Sequence, residues 1–283
     1  HLFNVSYSGI KNNKITGYAY ILDFDKNKNN SSDTFGISSV GSYNLDDYTL
    51  GYRLEYANQQ EGGSSELDYD ADYFHANLSG GFSGFTSSIG YELLGSDNGS
   101  TAFKTPLATL HAFNGFADVF LNTPNTGLED IYLTLGYKIY NTPIKLFYHD
   151  YSSDQGGEDF GNEFDLVVSP TESIDLAISG LFMDPIYDSF PASSAGDLTG
   201  TMPSNISEDT ISSTVTWNWN TSNWDGYFRL SHLYASEAKL LENPAWQAIL
   251  EAAGNGIKTQ DTLNFSAGLN KDNLSIMLWA KNI

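Results

Sequence analysis

Hydrophobic and polar residues alternate along most of this chain, and the pattern is clearest over residues 48–56. The large apolar and aromatic residues of this segment occupy alternate positions: Tyr48, Leu50, Tyr52, Leu54 and Tyr56. The positions between them carry small or charged residues: Thr49, Gly51, Arg53 and Glu55. Because successive side chains of a β-strand point to opposite faces, the segment is predicted to be a strand with one apolar and one polar face.

Fourteen segments are predicted to be strands in this way. They are residues 2–10, 14–24, 33–43, 48–58, 67–79, 84–94, 129–140, 143–152, 161–170, 173–183, 209–219, 224–236, 259–270 and 273–283. The links between them are alternately short and long. A soluble sandwich also alternates in polarity, but short turns at one end of the strands and long loops at the other are typical of bacterial outer-membrane barrels. We therefore expect an all-β fold, an antiparallel transmembrane β-barrel that forms a single domain over residues 1–283.

Composition agrees with this prediction. Hydrophobic residues make up 40% of the chain, and no run approaches the roughly 18 apolar residues of a membrane helix. A membrane strand needs only alternate apolar positions, so low hydropathy does not exclude a barrel. Aromatic residues reach 14%, and such rings suit the girdles at the two membrane interfaces.

Two family resemblances divide the chain. Residues 1–159 resemble the alginate-export-domain family of outer-membrane barrels, through segments such as "ITGYAYILDFDKNKNNSSDTFGI", "YRLEYANQ" and the long block from Gly90 to Gly127. Residues 161–283 resemble the C-terminal barrel of TonB-dependent receptors, through "NEFDLVVSPTESIDLAISGLFMDPIYDSFP" and "DTLNFSAGLNKDNLSIMLWAKNI". The first resemblance implies a passive or polysaccharide-conducting channel, and the second implies an energised receptor.

The strand count carries a further expectation. If the short turns face the periplasm, fourteen strands place both chain ends on the extracellular side. Barrels of these two families keep their ends in the periplasm, so we expect sixteen or more strands and a partial or hybrid barrel sequence. A complete barrel of fourteen strands with unusual ends is the alternative.

The longest loops are expected to carry specificity. In the loop from Gly95 to Leu128, Thr105 and Pro106 predict a helix start, and apolar residues follow at helical spacing. The candidates for a constriction folded into the barrel mouth are Thr105, Pro106, Leu107, Leu110, His111 and Phe113. An external lid is the alternative. A second loop helix is predicted from Pro244, with Asn243 as its cap and Gly254 at its end.

The net charge of the chain limits which ligands it can bind. With 13 basic against 35 acidic residues, the net charge of −22 opposes nucleic-acid binding and repels polyanions. Strand parity nominates four pore-lining residues: Arg53, Glu55, Lys138 and Arg229. Such arginines could bind an acidic sugar, or Glu55 could hold Arg53 only to stiffen the wall.

Catalytic and metal sites are not expected. The acidic groups Asp68, Asp70 and Asp72, and Asp23 with Asp25, are interpreted as solvated loop residues, because the second group lacks the turn glycine and closing glutamate of a calcium loop. Four of the five histidines, at positions 75, 111, 149 and 232, are scattered along the sequence without a serine motif.

We therefore expect no enzyme activity and no cofactor. The prediction is a channel of the bacterial outer membrane that passes small hydrophilic solutes or acidic oligosaccharide, with lipid and lipopolysaccharide as its surroundings. The alternatives are the barrel of a TonB-dependent receptor and a soluble β-sandwich binding module.

Overall fold

The main sheet contains fourteen strands whose order in the sheet follows their order in the chain. The computed structural model describes residues 1–108, 114–117, 119–140, 142–184, 186, 198–202, 204–221, 223–241, 243–271 and 274–282. The strands of the main sheet are β1 (Leu2–Tyr7), β2 (Asn13–Leu22), β3 (Ser32–Leu45), β4 (Tyr48–Glu61), β5 (Asp70–Phe82), β6 (Phe85–Leu94), β9 (Leu128–Ile139), β10 (Thr142–Ser152), β11 (Asp159–Thr171), β12 (Ile174–Phe182), β13 (Asp209–Asn220), β14 (Asp225–Lys239), β15 (Ile257–Lys271) and β16 (Leu274–Ala280). A separate two-stranded ribbon joins β7 (Ser96–Asp97) to β8 (Thr101–Ala102).

Neighbouring strands pair antiparallel from β1 to β9 and from β11 to β16. Their connections alternate along the chain as the sequence predicted. The short ones are residues 8–12, 46–47, 83–84, 140–141, 172–173, 221–224 and 272–273. The longer ones are residues 23–31, 62–69, 95–127, 153–158, 183–208 and 240–256. The all-β, antiparallel fold class that the alternation predicted for a transmembrane β-barrel is confirmed.

One predicted turn is displaced. The predicted strands 67–79 and 84–94 left residues 80–83 as a turn, but Gly80 and Gly81 pair with β6 in the ladder. The chain reverses instead at Ser83 and Gly84, whose φ angles are +50° and +81°. Positive φ at both central residues is the geometry of a type I′ two-residue hairpin. The strand also begins at Asp70 and not at residue 67, so Asp68 lies outside it.

The helix predicted in the last long loop is confirmed. Helix α1 spans Pro244–Ala252, and the Asn243 side chain accepts hydrogen bonds from the backbone N–H groups of Ala245 and Trp246. Gly254 follows its end with a φ of +74°. Across the described residues, no helix has the length and apolar character that crossing a membrane would take.

The chain divides into two compact units. The first contains residues 1–136 and 148–158, and the second contains residues 137–147 and 159–283. In the second unit, Glu163 and Ser179 are buried on neighbouring strands, and the Ser179 hydroxyl donates to Glu163 over 2.8 Å. Phe164 and Ile178 are the sequence neighbours of Glu163 and Ser179. They therefore lie on the opposite face of their strands, where they are exposed.

Candidate functional site

The sheet of the first unit has two faces of opposite character. Residues opposite each other in antiparallel strands share a face, and the register pairs Leu54 with Ala76 and Leu78 with Ile89. On this apolar face, Leu54, Leu78, Ile89 and Ile131 are 50–56% exposed. The other face carries Arg53 and Glu55, and we call it the polar face.

Two strands contribute to a charged group on the polar face. Arg53 and Glu55 of β4 form an ion pair, and the Tyr18 hydroxyl of β2 donates to the other oxygen of Glu55 over 2.7 Å. Arg53 is about half exposed, whereas Glu55 is nearly covered. The sequence predicted the facing of both charged residues from parity, and the structure brings them together.

A second group continues across the same face. The register places His75 beside Glu55 and Glu92, and it places Glu92 beside Asp130. Tyr73 donates to Glu92, and His75 Nε2 lies 2.7 Å from the hydroxyl of Tyr132. The polar face therefore carries a connected set of carboxylates and aromatic rings.

Asp130 holds a second histidine of this group. The Nδ1 atom of His149 lies 2.9 Å from Asp130 Oδ2, and its ring stacks on that of Tyr132 at 5.7 Å. His75 and His149, which looked scattered in the sequence, are thus linked through Tyr132. The contact between His75 and Tyr132 joins strands that are distant in the sequence, so no local signal could have revealed it.

Glycines make room for two of these tyrosines. A Cβ atom added to Gly36 would lie 2.2 Å from Cζ of Tyr18, and one added to Gly90 would lie 2.1 Å from Cζ of Tyr132. Each ring therefore lies across the glycine of the neighbouring strand. This position lets the Tyr18 hydroxyl reach Glu55, two strands away.

Gln59 holds the first part of the long loop against the polar face through hydrogen bonds. The buried Gln59 amide accepts from the Lys104 backbone N–H over 2.7 Å and donates to the Lys104 carbonyl over 2.9 Å. The same amide donates to Thr34 and accepts from Tyr69, so all four of its hydrogen-bonding positions are used. The Nζ atom of Lys104 donates to the Asn29 carbonyl over 2.6 Å.

A cavity of about 500 Å³ lies between this loop and the strands of the first unit. Thr105, Pro106 and Leu107 line it on the loop side, and Tyr18, Glu55 and Glu92 are among the strand residues that line it. The predicted helix start at Thr105 is wrong for the described residues 105–108, which form a single turn closed by the Ala108 N–H to the Thr105 carbonyl over 3.0 Å. The bonds to Gln59 fix the backbone immediately before it, and this tertiary contact overrides the local helix signal.

The remaining predicted site residues lie elsewhere. Leu110, His111 and Phe113 fall outside the described residues. Lys138 belongs to the second unit and is exposed near the end of β9. Arg229 also belongs to the second unit, where it is half-buried and pairs with Thr216 and Ser266.

The loop acids that raised the question of a metal have other contacts. Asp70 and Asp72 accept from the Asn58 side chain, and Asp23 accepts from the Ser64 hydroxyl over 2.8 Å. The hydroxyl and the backbone N–H of Ser64 hold the pKa of Asp23 below its usual range. Among the described residues, no group of three His, Asp or Glu side chains is arranged to hold a metal ion.

No family model and no curated protein matches the chain. Among solved structures, two mutants of the Rh. blastica porin are similar at 13% and 14% identity, each with a TM-score of 0.44 and with coverage of 100% of this chain and 84% of the porin. The ferric yersiniabactin uptake receptor FyuA from Yersinia pestis is similar at 14% identity and a TM-score of 0.40, with coverage of 100% of this chain and 44% of the receptor. The two family resemblances drawn from the sequence are therefore not confirmed.

Proposed function

We propose that this chain is a channel of the Gram-negative outer membrane through which small hydrophilic solutes diffuse passively. The observation that carries the proposal is the opposite character of the two sheet faces in the first unit. Arg53, Glu55 and Asn77 share one face, while Leu54 and Leu78 are about half exposed on the other. A soluble protein rarely exposes a large contiguous apolar surface, whereas lipid accepts it without cost.

The same observation argues against a soluble β-sandwich. A sandwich packs its apolar faces together into a core and exposes the polar ones. In the first unit the arrangement is reversed, because Gln59 and Asp130 are buried on the polar face while Ile89 and Ile131 are exposed on the other. This inversion is what a wall between lipid and a water-filled pore needs.

Under this proposal, the loop segment from Thr105 to Leu107 is the constriction, and Arg53 and Glu55 lie on the pore wall beside it. It approaches the polar face, as its bonds through Lys104 to Gln59 require. Lys138 and Arg229 are proposed as further wall residues from their strand parity. Lipid and lipopolysaccharide would surround the apolar face.

Charge favours neutral or cationic solutes over an acidic oligosaccharide. The described group on the polar face contains three carboxylates, Glu55, Glu92 and Asp130, but one arginine, Arg53. The chain as a whole carries a net charge of −22. A pore with this balance repels a polyanion, and the repulsion weakens as salt screens it.

The experiment is the conductance of the refolded full-length chain in planar lipid bilayers. We expect stepwise openings without any energising partner, and a higher permeability for potassium than for chloride at low salt. A preparation that is folded by circular dichroism and inserted in lipid but gives no openings would contradict the proposal. Transport that depends on an energising protein would support the receptor alternative instead.

A further inference from the structure

The cavity beneath the loop combines an apolar lining with partly buried carboxylates. Leu94, Phe103, Pro106 and Leu107 supply apolar surface, and Glu55 and Glu92 lie among them. Its volume of about 500 Å³ falls within the range of small-molecule sites in proteins. Such a cavity suits a ligand with an apolar body and one polar group.

The two carboxylates differ in how far their charge is compensated. Glu55 is paired with the guanidinium of Arg53 and accepts a further bond from Tyr18. Glu92 accepts its hydrogen bonds from neutral donors, the Tyr73 hydroxyl and the Asn114 side-chain amide. A carboxylate whose hydrogen-bond donors are neutral attracts a cation more strongly than one that is already ion-paired.

The lysine on the cavity wall does not neutralise Glu92. Lys104 directs its Nζ atom to the carbonyl of Asn29, over 2.6 Å, and to the ring of Tyr69, at 5.0 Å. Aromatic rings add to the preference for positive charge, because Tyr73 and Phe103 pack at 5.3 Å beside Glu92 and the faces of such rings attract cations.

We infer that this cavity binds a small organic cation, with its ammonium group at Glu92 and its apolar or aromatic body against Phe103 and Leu107. The inference rests on the proposed function in one respect: it names the class of solute that pauses at the constriction of the channel. Binding itself does not require that the protein conducts. The two proposals can therefore fail separately.

The test compares three probes that share an indole body and differ in charge. Tryptamine carries an ammonium group, tryptophol a neutral hydroxyl, and indole-3-acetate a carboxylate. Each is titrated calorimetrically into the full chain in detergent micelles, with protein-free micelles as the blank. We expect tryptamine to bind about tenfold more tightly than tryptophol, because charge-assisted hydrogen bonds are about twice as strong as neutral ones, and we expect indole-3-acetate to bind least.

Two variants locate the site. Glu92→Gln keeps an acceptor for Tyr73 but removes the charge, so we expect the tryptamine preference to disappear while tryptophol binding stays within about twofold. Leu107 is exposed, so Leu107→Ala should leave the fold intact and weaken tryptamine and tryptophol alike. Glu129→Gln is the matched control, because Glu129 also accepts from a tyrosine hydroxyl, that of Tyr91 over 2.8 Å, but lies on the apolar face opposite Leu93.

Several outcomes would overturn the inference. They are the absence of binding, equal affinities for tryptamine and tryptophol, a preference for indole-3-acetate, or a tryptamine preference that survives Glu92→Gln. Bilayer conductance of the same preparation separates the two proposals. Openings without tryptamine binding would overturn the ligand site alone, and selective binding without openings would overturn the channel alone.

Discussion

At the residue scale, the polar face depends on tyrosines that cross a glycine to reach a partner beyond it. Tyr18 crosses Gly36 to reach Glu55, and Tyr132 crosses Gly90 to reach His75 and Asn77. Each such ring covers backbone that a glycine leaves open and places a hydroxyl beside a polar or charged group. The glycines are therefore part of the site, although they carry no chemistry themselves.

The substitution Gly36→Ala tests this arrangement. The added Cβ would displace the Tyr18 ring and break its bond to Glu55, and overpacking of this kind costs about 1–3 kcal/mol. We expect a lower midpoint of urea unfolding in micelles. The control is Gly17→Ala in the adjacent strand, where an added Cβ meets nothing within 4 Å. Equal midpoints for the two variants would contradict the account.

The sequence predicted part of this site. Parity along β4 was enough to place Arg53 and Glu55 on one face, because the alternation of a strand is local. The bond from Tyr18 to Glu55 and the contact between His75 and Tyr132 could not be predicted, because they depend on register between strands that do not follow each other in the sequence.

At the element scale, the Gln59 side chain fixes the loop that follows β6 at Lys104. Gln59 holds both backbone groups of Lys104, and no residue of the loop itself signals this attachment. Helix α1 was predictable because its signals, Asn243 and Pro244, are local, and the helix forms where they predict it. Thr105 and Pro106 carry similar signals, but the hydrogen bonds between Gln59 and Lys104, immediately before them, outweigh those signals.

The substitution Gln59→Leu should release this loop. Each lost hydrogen bond to Lys104 is worth about 1 kcal/mol, so the open population should rise roughly thirtyfold. Trypsin then reaches the bond after Lys104, and cleavage there, measured by mass spectrometry, should accelerate in proportion to opening.

Gln60→Leu is the control for this experiment. Gln60 is the next residue, is exposed, and donates to Asp70 over 2.9 Å with no bond to the loop. We expect its cleavage rate at Lys104 to match that of the native chain. If Gln59→Leu were cleaved no faster than Gln60→Leu, the loop would not depend on Gln59.

At the scale of the whole molecule, the proposed function depends on which sheet face meets water. The alternation predicted two faces, but it could not tell a sandwich from a membrane wall, because both alternate. The exposure of Leu54, Leu78 and Ile131 and the burial of Gln59 and Asp130 give the first unit the inverted arrangement of a membrane protein.

The most direct measurement uses single cysteines in a chain that contains none. Arg53→Cys and Leu54→Cys place a thiol on opposite faces at adjacent positions of β4. A membrane-impermeant, cationic methanethiosulfonate reagent is added to open channels in planar bilayers. We predict a stepwise change of conductance for Arg53→Cys and no change for Leu54→Cys. Equal responses, or a response at Leu54→Cys alone, would contradict the claim that the polar face lines a water-filled pore.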